Sequence, residues 1–429
     1  MVWGSMSAAE VEDKETHGPG GVSPSCLKAC ADQLAPIFTY ILNRLLELCE
    51  VPSCLKLSTC SPVPKKPSIT GLNDYRPVTL TSVVTKIFKQ LVLAHLMKVT
   101  EQLLDSLQFD YQANRSVDDT VNMGLHYILQ HFDCPGTYAR ILFVDFSSAL
   151  NTINSGILHS KLLKLTILPA ICQWITSFLT GRKQQMRLGD ISSGIQTVST
   201  GTPQGCVLSP LLFSLYMNDC TSSNPTVKLL KFADETKLIE LQDGDESAYE
   251  QEVKRLVLWC SQSNLELNTL KTVEMIVDFR KYHSTLLPPT ISKSPVSAVE
   301  NFLGPTISQD LKWKSNINPI FKNGHQRMYF LCQLRKFGLP QELLMQFYSA
   351  VIESVLCSSI TIWFGAAKKQ DRNRLQQTVK TSFVLLCPLF RTCTIQGPET
   401  GQEISRLTLH TLDTAPAFWQ ALQNFIYQN

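Results

Sequence analysis

The sequence predicts an α+β fold built around an antiparallel sheet, and two stretches support it. Apolar runs on both sides of a tight turn predict a β-hairpin over residues 229–239, with Asp234 and Glu235 at its tip. The apolar run 141–144 predicts a buried strand that ends on Asp145. Segments with apolar residues at helical spacing flank both stretches, so we expect helices to pack against the sheet.

Two strands that end on carboxylates suggest a metal site. An isolated Asp-Glu pair in a turn is more often a solvated acidic turn, and that interpretation would hold for Asp234 and Glu235 alone. Asp145 favours a metal site instead, because a second strand then brings a carboxylate to the same place. Carboxylate oxygens suit Mg²⁺, which shares its ligands with substrate phosphates. The layout is typical of two-metal phosphoryl or nucleotidyl transfer.

Composition predicts a globular protein of two or three domains. The 429 residues are 44% apolar and 17% charged, with a net charge of +3. Residues 311–391 contain twelve Lys and Arg against three acids, a local balance of +9. Such a basic C-terminal subdomain suggests a surface for phosphate backbones. The 14 cysteines include no Cys-x-x-Cys pair, which excludes a zinc knuckle or ribbon built on that spacing.

The N-terminal stretch and the cysteines predict an intracellular protein. Residues 1–22 are polar with acids and glycines, unlike a signal or transit peptide. The longest apolar stretch, 347–367, contains Glu353 and several Ser and Thr, which favours a buried helix over a membrane span. Dispersed thiols fit a reducing compartment. We therefore expect a nuclear or cytoplasmic protein that is not secreted and has no membrane partner.

Apolar periodicity also predicts the other elements. In the first helix, Leu34, Ile37, Ile41 and Leu45 form the expected core face. In chain order, the predictions are a helix over 27–48 interrupted near Pro36, a helix over 82–104, helices within 157–179, paired strands 182–188 and 194–198, helices 208–217 and 246–263, a strand 274–279, and helices 326–337, 341–360 and 371–386.

Three motifs occur in a fixed order along the chain. They are residues 142–149 (Leu-Phe-Val-Asp-Phe-Ser-Ser-Ala), 201–210 (Gly-Thr-Pro-Gln-Gly-Cys-Val-Leu-Ser-Pro) and 232–236 (Phe-Ala-Asp-Glu-Thr). They resemble the first palm motif, the nucleotide-facing loop and the Phe-Ala-Asp-Asp motif of reverse transcriptases, particularly those of non-LTR retrotransposons of the LINE type. The resemblance extends from about residue 18 to residue 391.

This resemblance implies a right-hand polymerase fold with fingers, an antiparallel-sheet palm and a helical thumb. The implied domains are a disordered lead (1–22), an N-terminal helical extension (23–60), fingers (61–139), a palm with a fingers insertion and a primer-grip hairpin (140–310), a helical thumb (311–391) and a divergent tail (392–429).

The resemblance also implies site residues. The catalytic set is Asp145, Asp234, Glu235 and Lys271, with Lys271 protonating the pyrophosphate leaving group. Mg²⁺, with Mn²⁺ as the alternative, would be held by Asp145, Phe146, Asp234 and Glu235. Nucleotide binding would use Lys65, Arg76, Phe146, Leu150, Pro203, Gln204 and Gly205. For Lys65 and Lys271, a solvated lysine on a loop is the open alternative.

The implied activity is RNA-directed DNA polymerase. Its substrates would be an RNA template, a DNA primer and deoxynucleoside triphosphates. No endonuclease motif is recognisable upstream, so an endonuclease acting in trans is an expected partner.

Three residues depart from the family pattern and suggest a truncated or decaying copy. Glu235 replaces an Asp, Leu150 replaces the usual Phe beside the sugar, and Gln112 replaces an Arg. The rival hypothesis is therefore a catalytically dead, retroelement-derived protein that still binds nucleic acid. A purely structural protein without a ligand is a third hypothesis.

Overall fold

The computed structural model describes residues 24–112, 114–242, 247–280 and 299–386. The expected lead at 1–22 and tail at 392–429 lie outside these residues. The chain divides into two compact units. Of the described residues, the first unit contains those within 24–120 and 140–274, and the second contains 121–139, 275–280 and 299–386.

Helices provide most of the regular structure. In chain order they are α1 (Pro24–Ala29), α2 (Ala31–Glu47), α3 (Val83–Thr100), α4 (Val117–Phe132), α5 (Ala149–Thr152), α6 (Ser155–Lys164), α7 (Pro169–Leu179), α8 (Ser209–Tyr216), α9 (Ser247–Gln262), α10 (Lys314–Lys336), α11 (Gln341–Phe347), α12 (Ser354–Leu356), α13 (Ile360–Trp363) and α14 (Lys369–Leu386). A π-helical stretch, Tyr348–Glu353, joins α11 to α12.

Strands form three sheets in the described part of the chain. They are β1 (Leu57–Pro64), β2 (Tyr75–Thr81), β3 (Tyr138–Val144), β4 (Arg182–Leu188), β5 (Ile191–Ser192), β6 (Gln196–Val198), β7 (Val227–Phe232), β8 (Glu235–Gln242), β9 (Val273–Asp278), β10 (Val299–Asn301) and β11 (Thr306–Ser308). The boundary between the two units falls inside α4, β3 and β9.

The sheets differ in strand direction. One has the order β2-β1-β4-β5, with β6 also on β4; β1 runs antiparallel to β2 and parallel to β4. The second has the order β7-β8-β3-β9, and β7 and β8 form the predicted antiparallel hairpin. The third is the β10–β11 hairpin, also as predicted. The antiparallel pairs are therefore confirmed, and the parallel β1–β4 pair was not foreseen.

The core of the first unit lies between the β7-β8-β3-β9 sheet and its helices. One continuous apolar cluster joins α2, α3, α6, α7, α8 and α9 to β3, β7 and β8. All seven residues of β3 are buried: burial was expected for the apolar run 141–144, and Arg140 is buried with Glu274, to which its Nε donates at 2.9 Å. This packing fixes the ends of β3, β7 and β8, where the predicted acids lie.

The N-terminal helices correct two predictions. The interruption is at Cys30, between α1 and α2, and α2 continues through Pro36. Ile37 and Ile41 are exposed, because the buried face of α2 is formed by Ala31, Ala35, Leu42, Leu45 and Leu46. Ala35 packs with α3, which rotates the buried face away from the predicted one. The predicted helical extension to residue 60 also ends early, since β1 begins at Leu57.

The C-terminal helices are longer and less regular than predicted. α10 begins at Lys314, twelve residues before the predicted start at residue 326, and contains Pro319. Within the described chain, one helical run, Gln341–Trp363, is long and apolar enough to cross a membrane by length and composition. Core helices of soluble proteins share these properties, and in this run Tyr348, Ile352, Leu356 and Trp363 are buried.

Candidate active site

The tip of the β7–β8 hairpin carries Asp234. Phe232 and Glu235 are the last paired residues, so Ala233 and Asp234 alone form the turn. Ala233 has a φ of 51°, in the left-handed region, which costs a residue with a Cβ roughly 1–2 kcal/mol. Buried residues of both strands, such as Leu230 and Ile239, hold the turn in this conformation.

Asp234 lies among other acids. Its side chain reaches the surface, but limited solvation raises its pKa, and the negative charges of Glu235 and Asp145 raise it further. β8 and β3 are neighbours in the sheet. Asp145 and Asp234 are therefore within electrostatic range of each other, at the ends of adjacent strands.

Asp145 is held by its backbone on one side and faces a lysine on the other. Its carbonyl accepts a hydrogen bond from the Asn268 amide at 2.9 Å, and the Ser147 amide donates to Glu266 at 2.8 Å. These bonds tie the end of β3 to residues 266–268. The Oδ2 atom of Asp145 is buried without a hydrogen-bond partner and lies 3.6 Å from Lys271 Nζ. Lys271 thus faces an acid of the site, although it is largely exposed.

Glu235 is paired with a lysine of its own strand. Its Oε2 accepts a hydrogen bond from Lys237 Nζ at 3.0 Å, and the two residues share one face of β8. The Lys237 ammonium also lies over the Phe143 ring, 5.4 Å from its centre. Lys237 is buried, so its position is set by packing. The third predicted carboxylate is therefore paired with a lysine.

The donors fit a divalent cation through two aspartates. The described residues contain no group of three His, Cys, Asp or Glu side chains arranged to hold a metal ion. Asp145 and Asp234 nevertheless supply hard oxygen ligands, and both the raised pKa of Asp234 and the unpartnered Oδ2 of Asp145 favour a cation between them. The buried Phe146 side chain has no oxygen to offer, so Phe146 could contribute only its main-chain carbonyl.

The predicted nucleotide-facing loop packs on the residues that follow Asp145. Leu150, in α5, is half-buried against the core. Three hydrogen bonds connect the loop to this segment: Gly201 N to Ile153 O at 2.8 Å, Thr202 N to Leu150 O at 2.8 Å, and Gln204 Nε2 to Asn151 Oδ1 at 3.2 Å. The loop is thus hydrogen-bonded to residues 150–153, the segment that follows Asp145 in the chain.

The loop also contacts the β1–β2 strand pair. Thr79 N, in β2, donates to Gln204 O at 2.7 Å. Pro203 is buried, and Gly205 is exposed with a φ of 89°, which favours glycine. The structure therefore joins Pro203, Gln204 and Gly205 to β2.

Lys65 and Arg76 lie on this strand pair. Arg76 is an exposed residue of β2, opposite Val63. Lys65 Nζ donates to the carbonyl of Asn73 at 2.7 Å, so its ammonium helps to close the loop between β1 and β2. Its neighbour Lys66 pairs with Asp74 at 2.9 Å. Both lysines have local partners, and their predicted role with a triphosphate stays a prediction.

Sequence reasoning missed Arg182, which is buried at the start of β4. Its guanidinium donates to three backbone carbonyls, those of Leu179, Thr200 and Gly201. It therefore fixes the backbone that leads into the loop. The partners lie up to 19 residues away, and an arginine at the start of a polar strand gives no sequence signal of burial.

Replacing Gly201 should show how tightly this loop is packed. Gly201 has a φ of 69°, and a Cβ there would lie 2.6 Å from the Asn151 backbone. We expect Gly201→Ala to lower the free energy of unfolding by roughly 2–4 kcal/mol. Gly194→Ala is the matched control, since nothing lies within 4 Å of its Cβ. Urea denaturation measures both, and equal stabilities would contradict the packing described here.

A fourth acid, Asp110, was also missed. A parallel bridge pairs Gln108 with Lys231, and the Phe109 amide donates to Lys231 O at 2.9 Å. Because the bridge is parallel, the chain after Gln108 runs beside β7 in the direction of the hairpin tip, and residue 110 lies on that path. Burial raises the pKa of Asp110 to about 6; hydrogen bonds from Tyr111 oppose the shift, and the charge of Asp234 adds to it.

The raised pKa of Asp110 makes stability depend on pH. A carboxyl whose folded-state pKa exceeds its unfolded value of about 3.9 destabilises the fold once it ionises. Its cost is therefore absent below about pH 3.9, grows as pH rises, and is complete above about pH 6. We expect Asp110→Asn to be more stable than wild type at pH 8, with a smaller difference at pH 5. Urea midpoints test this, with exposed Asp190→Asn as the control.

The anchor of this pairing is a buried ion pair. Lys231 is fully buried, lies 2.8 Å from Asp105 Oδ2, and donates to the carbonyls of Met217 and Cys220. It is three residues from Asp234. A buried charge with this many partners fixes β7 strongly, because losing one partner would leave the other charge uncompensated.

Comparisons with known proteins give two family matches. The family model described as "Reverse transcriptase (RNA-dependent DNA polymerase)" matches residues 63–313. A second model, described as "Alkylated DNA repair protein alkB homolog 8, N-terminal", matches residues 313–354.

Three similar curated proteins are from Drosophila melanogaster. "Probable RNA-directed DNA polymerase from transposon BS" is 26% identical over 422 residues, 93% of this chain and 45% of that protein. "Probable RNA-directed DNA polymerase from transposon X-element" is 24% identical over 330 residues, 72% of this chain and 35% of that protein. "RNA-directed DNA polymerase from mobile element jockey" is 21% identical over 387 residues, 86% of this chain and 42% of that protein. This chain thus spans less than half the length of each.

Proposed function

This chain belongs to the reverse transcriptase family, and we propose that it adds deoxynucleotides to a DNA primer on an RNA template. The expected resemblance to LINE-type reverse transcriptases is confirmed by the family match and by the retrotransposon relatives. The observation that supports the activity best is the convergence of Asp145 and Asp234 at the ends of adjacent strands.

Asp145 and Asp234 would hold a divalent cation, Mg²⁺ or Mn²⁺, with the main-chain carbonyl of Phe146. When bound, such an ion supplies Lewis-acid polarisation of phosphate oxygens and lowers the pKa of an attacking hydroxyl. The two aspartates orient the phosphates and the primer terminus by fixing where the positive charge lies.

Lys271 and the loop would act on the nucleotide. The Lys271 ammonium, facing Asp145, can move to the developing charge on pyrophosphate and donate a proton there. Gln204 is positioned by its bond to Asn151, next to Leu150, where an amide can contact a sugar or base without adding charge. Arg76, on β2, can contribute a cation to the triphosphate.

We assign the three parts of a right hand to the observed elements. The β7-β8-β3-β9 sheet, which carries the acids, corresponds to the palm. The β2-β1-β4-β5 sheet corresponds to the fingers. The helices α10–α14, in the second unit, correspond to the thumb.

The second candidate function is nucleic-acid binding without catalysis. Its support is the Glu235–Lys237 pair, which leaves two aspartates where the predicted site has three carboxylates. Filter binding with RNA and primer extension on an RNA template separate the candidates. Binding with extension supports the enzyme, binding alone supports the remnant, and neither supports a structural protein.

A further inference from the structure

Helix α10 carries basic residues and no acidic ones. Its 23 residues include five Lys and Arg and no Asp or Glu. Surface helices normally mix both signs, because opposite charges at neighbouring positions stabilise the helix. A long helix that lacks acids therefore indicates an anionic partner more than a requirement of folding.

The outward face of α10 exposes aromatic rings between lysines. Ile317, Phe321 and Leu331 are among its buried residues. On the other side Tyr329 and Phe330 are 61% and 49% exposed, Phe337, which directly follows α10, is 80% exposed, and Lys322 and Lys336 are exposed as well. Three large rings clustered on one helix face are an unusual exposure of apolar area, which marks interaction surfaces.

Three arginines of the second unit have structural roles. The Arg372 guanidinium donates to the carbonyls of Ala367 and Gly365, and the Arg374 guanidinium lies over the Phe321 ring, 4.4 Å from its centre. Arg327 donates to the Val351 carbonyl at 2.7 Å. Part of the basic excess predicted for residues 311–391 is thus engaged in contacts within the fold. The outward lysines of α10 remain directed at solvent.

We propose that this face, formed by Lys322, Tyr329, Phe330, Lys336 and Phe337, binds single-stranded nucleic acid. Unpaired bases can stack on the exposed rings, and the lysines match the phosphate backbone in charge. Bases in a duplex are already stacked on one another and offer no free face. The inference rests on the proposed function for the identity of its ligand, which is the unpaired part of an RNA template.

Binding of a single-stranded RNA that contains 2-aminopurine, without metal or nucleotide, tests the rings. The variant Tyr329→Ser/Phe330→Ser/Phe337→Ser should bind roughly 5- to 150-fold more weakly for each stacked base lost, and should no longer quench the probe. An abasic oligonucleotide should bind wild type and variant alike. Leu129→Ser/Leu343→Ser removes exposed apolar residues elsewhere in the same unit and should change nothing.

The salt dependence of affinity tests the lysines. Each phosphate contact on a single strand adds about 0.7 to the slope of log K against log salt, so Lys322→Gln/Lys336→Gln should reduce the slope by about 1.4. The control Lys164→Gln/Lys254→Gln removes two exposed lysines of the first unit.

Three results would overturn the proposal. The first is an RNA affinity and a salt slope that do not change in these variants, and the second is equal quenching of the probe by duplex and single-stranded RNA. The third is a wild-type dimer that the ring substitutions dissociate without a change in RNA affinity. Asp145→Asn should bind the RNA as wild type does. A protein that binds but never extends a primer would therefore refute the proposed function and leave the binding face standing.

Discussion

Asp234→Asn should abolish extension of a primer on RNA, with a fall in rate on the order of 10³-fold or more. The expected loss follows from the several kcal/mol of charge stabilisation that a catalytic metal supplies. Asn keeps the shape of the side chain but removes the charge that would hold the cation. Single-turnover extension with saturating nucleotide measures the effect, and Asp145→Asn should match it.

The same variant should be at least as stable as wild type. The pKa of Asp234 is raised in the folded state by limited solvation and by Glu235 and Asp145, so the ionised carboxylate destabilises the fold above its unfolded pKa of about 3.9. Removing the charge should therefore raise the urea midpoint at pH 8. A loss of activity together with a loss of stability would instead indicate damage to the fold, and full activity would exclude Asp234 from catalysis.

Glu235→Asp should raise the extension rate with Mg²⁺ by roughly ten- to a hundredfold. Glu235 reaches Lys237 at 3.0 Å, and shortening its stem by one methylene loosens that pair and moves the carboxylate by roughly 1 Å. Mg²⁺ requires near-ideal octahedral geometry, so the rate with Mg²⁺ should increase more than the rate with Mn²⁺. Mn²⁺ also accepts oxygen ligands, and the advantage of Mn²⁺ over Mg²⁺ should be larger in wild type than in the variant.

Stability should barely change in Glu235→Asp. The carboxylate is half exposed, and such pairs contribute about 0–1 kcal/mol. Glu250→Asp, which shortens the exposed partner of Lys254, is the matched control and should leave the rate unchanged. If wild type already equals Glu235→Asp in Mg²⁺, the extra methylene has no catalytic cost. If both are inactive, the defect lies elsewhere in the site.

The acid-bearing strands could be predicted because their patterns are local. The hairpin at 227–242 follows from two apolar runs around a short turn, and β3 from a continuous apolar run that ends on Asp145. The structure has both at nearly the predicted bounds. The motif order then predicted the family, which the comparisons confirm.

The partners of these residues could not be predicted, because they depend on tertiary contacts. Lys237 and Glu235 are two residues apart, but their pairing depends on Lys237 packing over Phe143, far away in sequence. In the sequence, Arg182 is an ordinary polar residue of a strand. Its burial depends on the carbonyls of Thr200 and Gly201, which accept its hydrogen bonds in the folded chain.

The predicted face of α2 failed for a related reason. Several apolar residues allow more than one buried face, and Ala35 rather than Ile37 contacts α3. A small residue such as alanine contributes little to the hydrophobic pattern of a sequence, although it permits the closest packing between helices. Periodicity therefore predicted the helix and the inward positions of Leu34 and Leu45, and was wrong about Ile37 and Ile41.

Primer extension on poly(rA)/oligo(dT), with Mg²⁺ or Mn²⁺ and with Asp145→Asn as the control, tests most directly whether the two aspartates catalyse RNA-templated DNA synthesis. We predict template-dependent incorporation of dTMP by wild type, weaker with Mg²⁺ than with Mn²⁺, and none by Asp145→Asn. Equal incorporation by wild type and Asp145→Asn, or none by wild type under either metal while the RNA is bound, would contradict it.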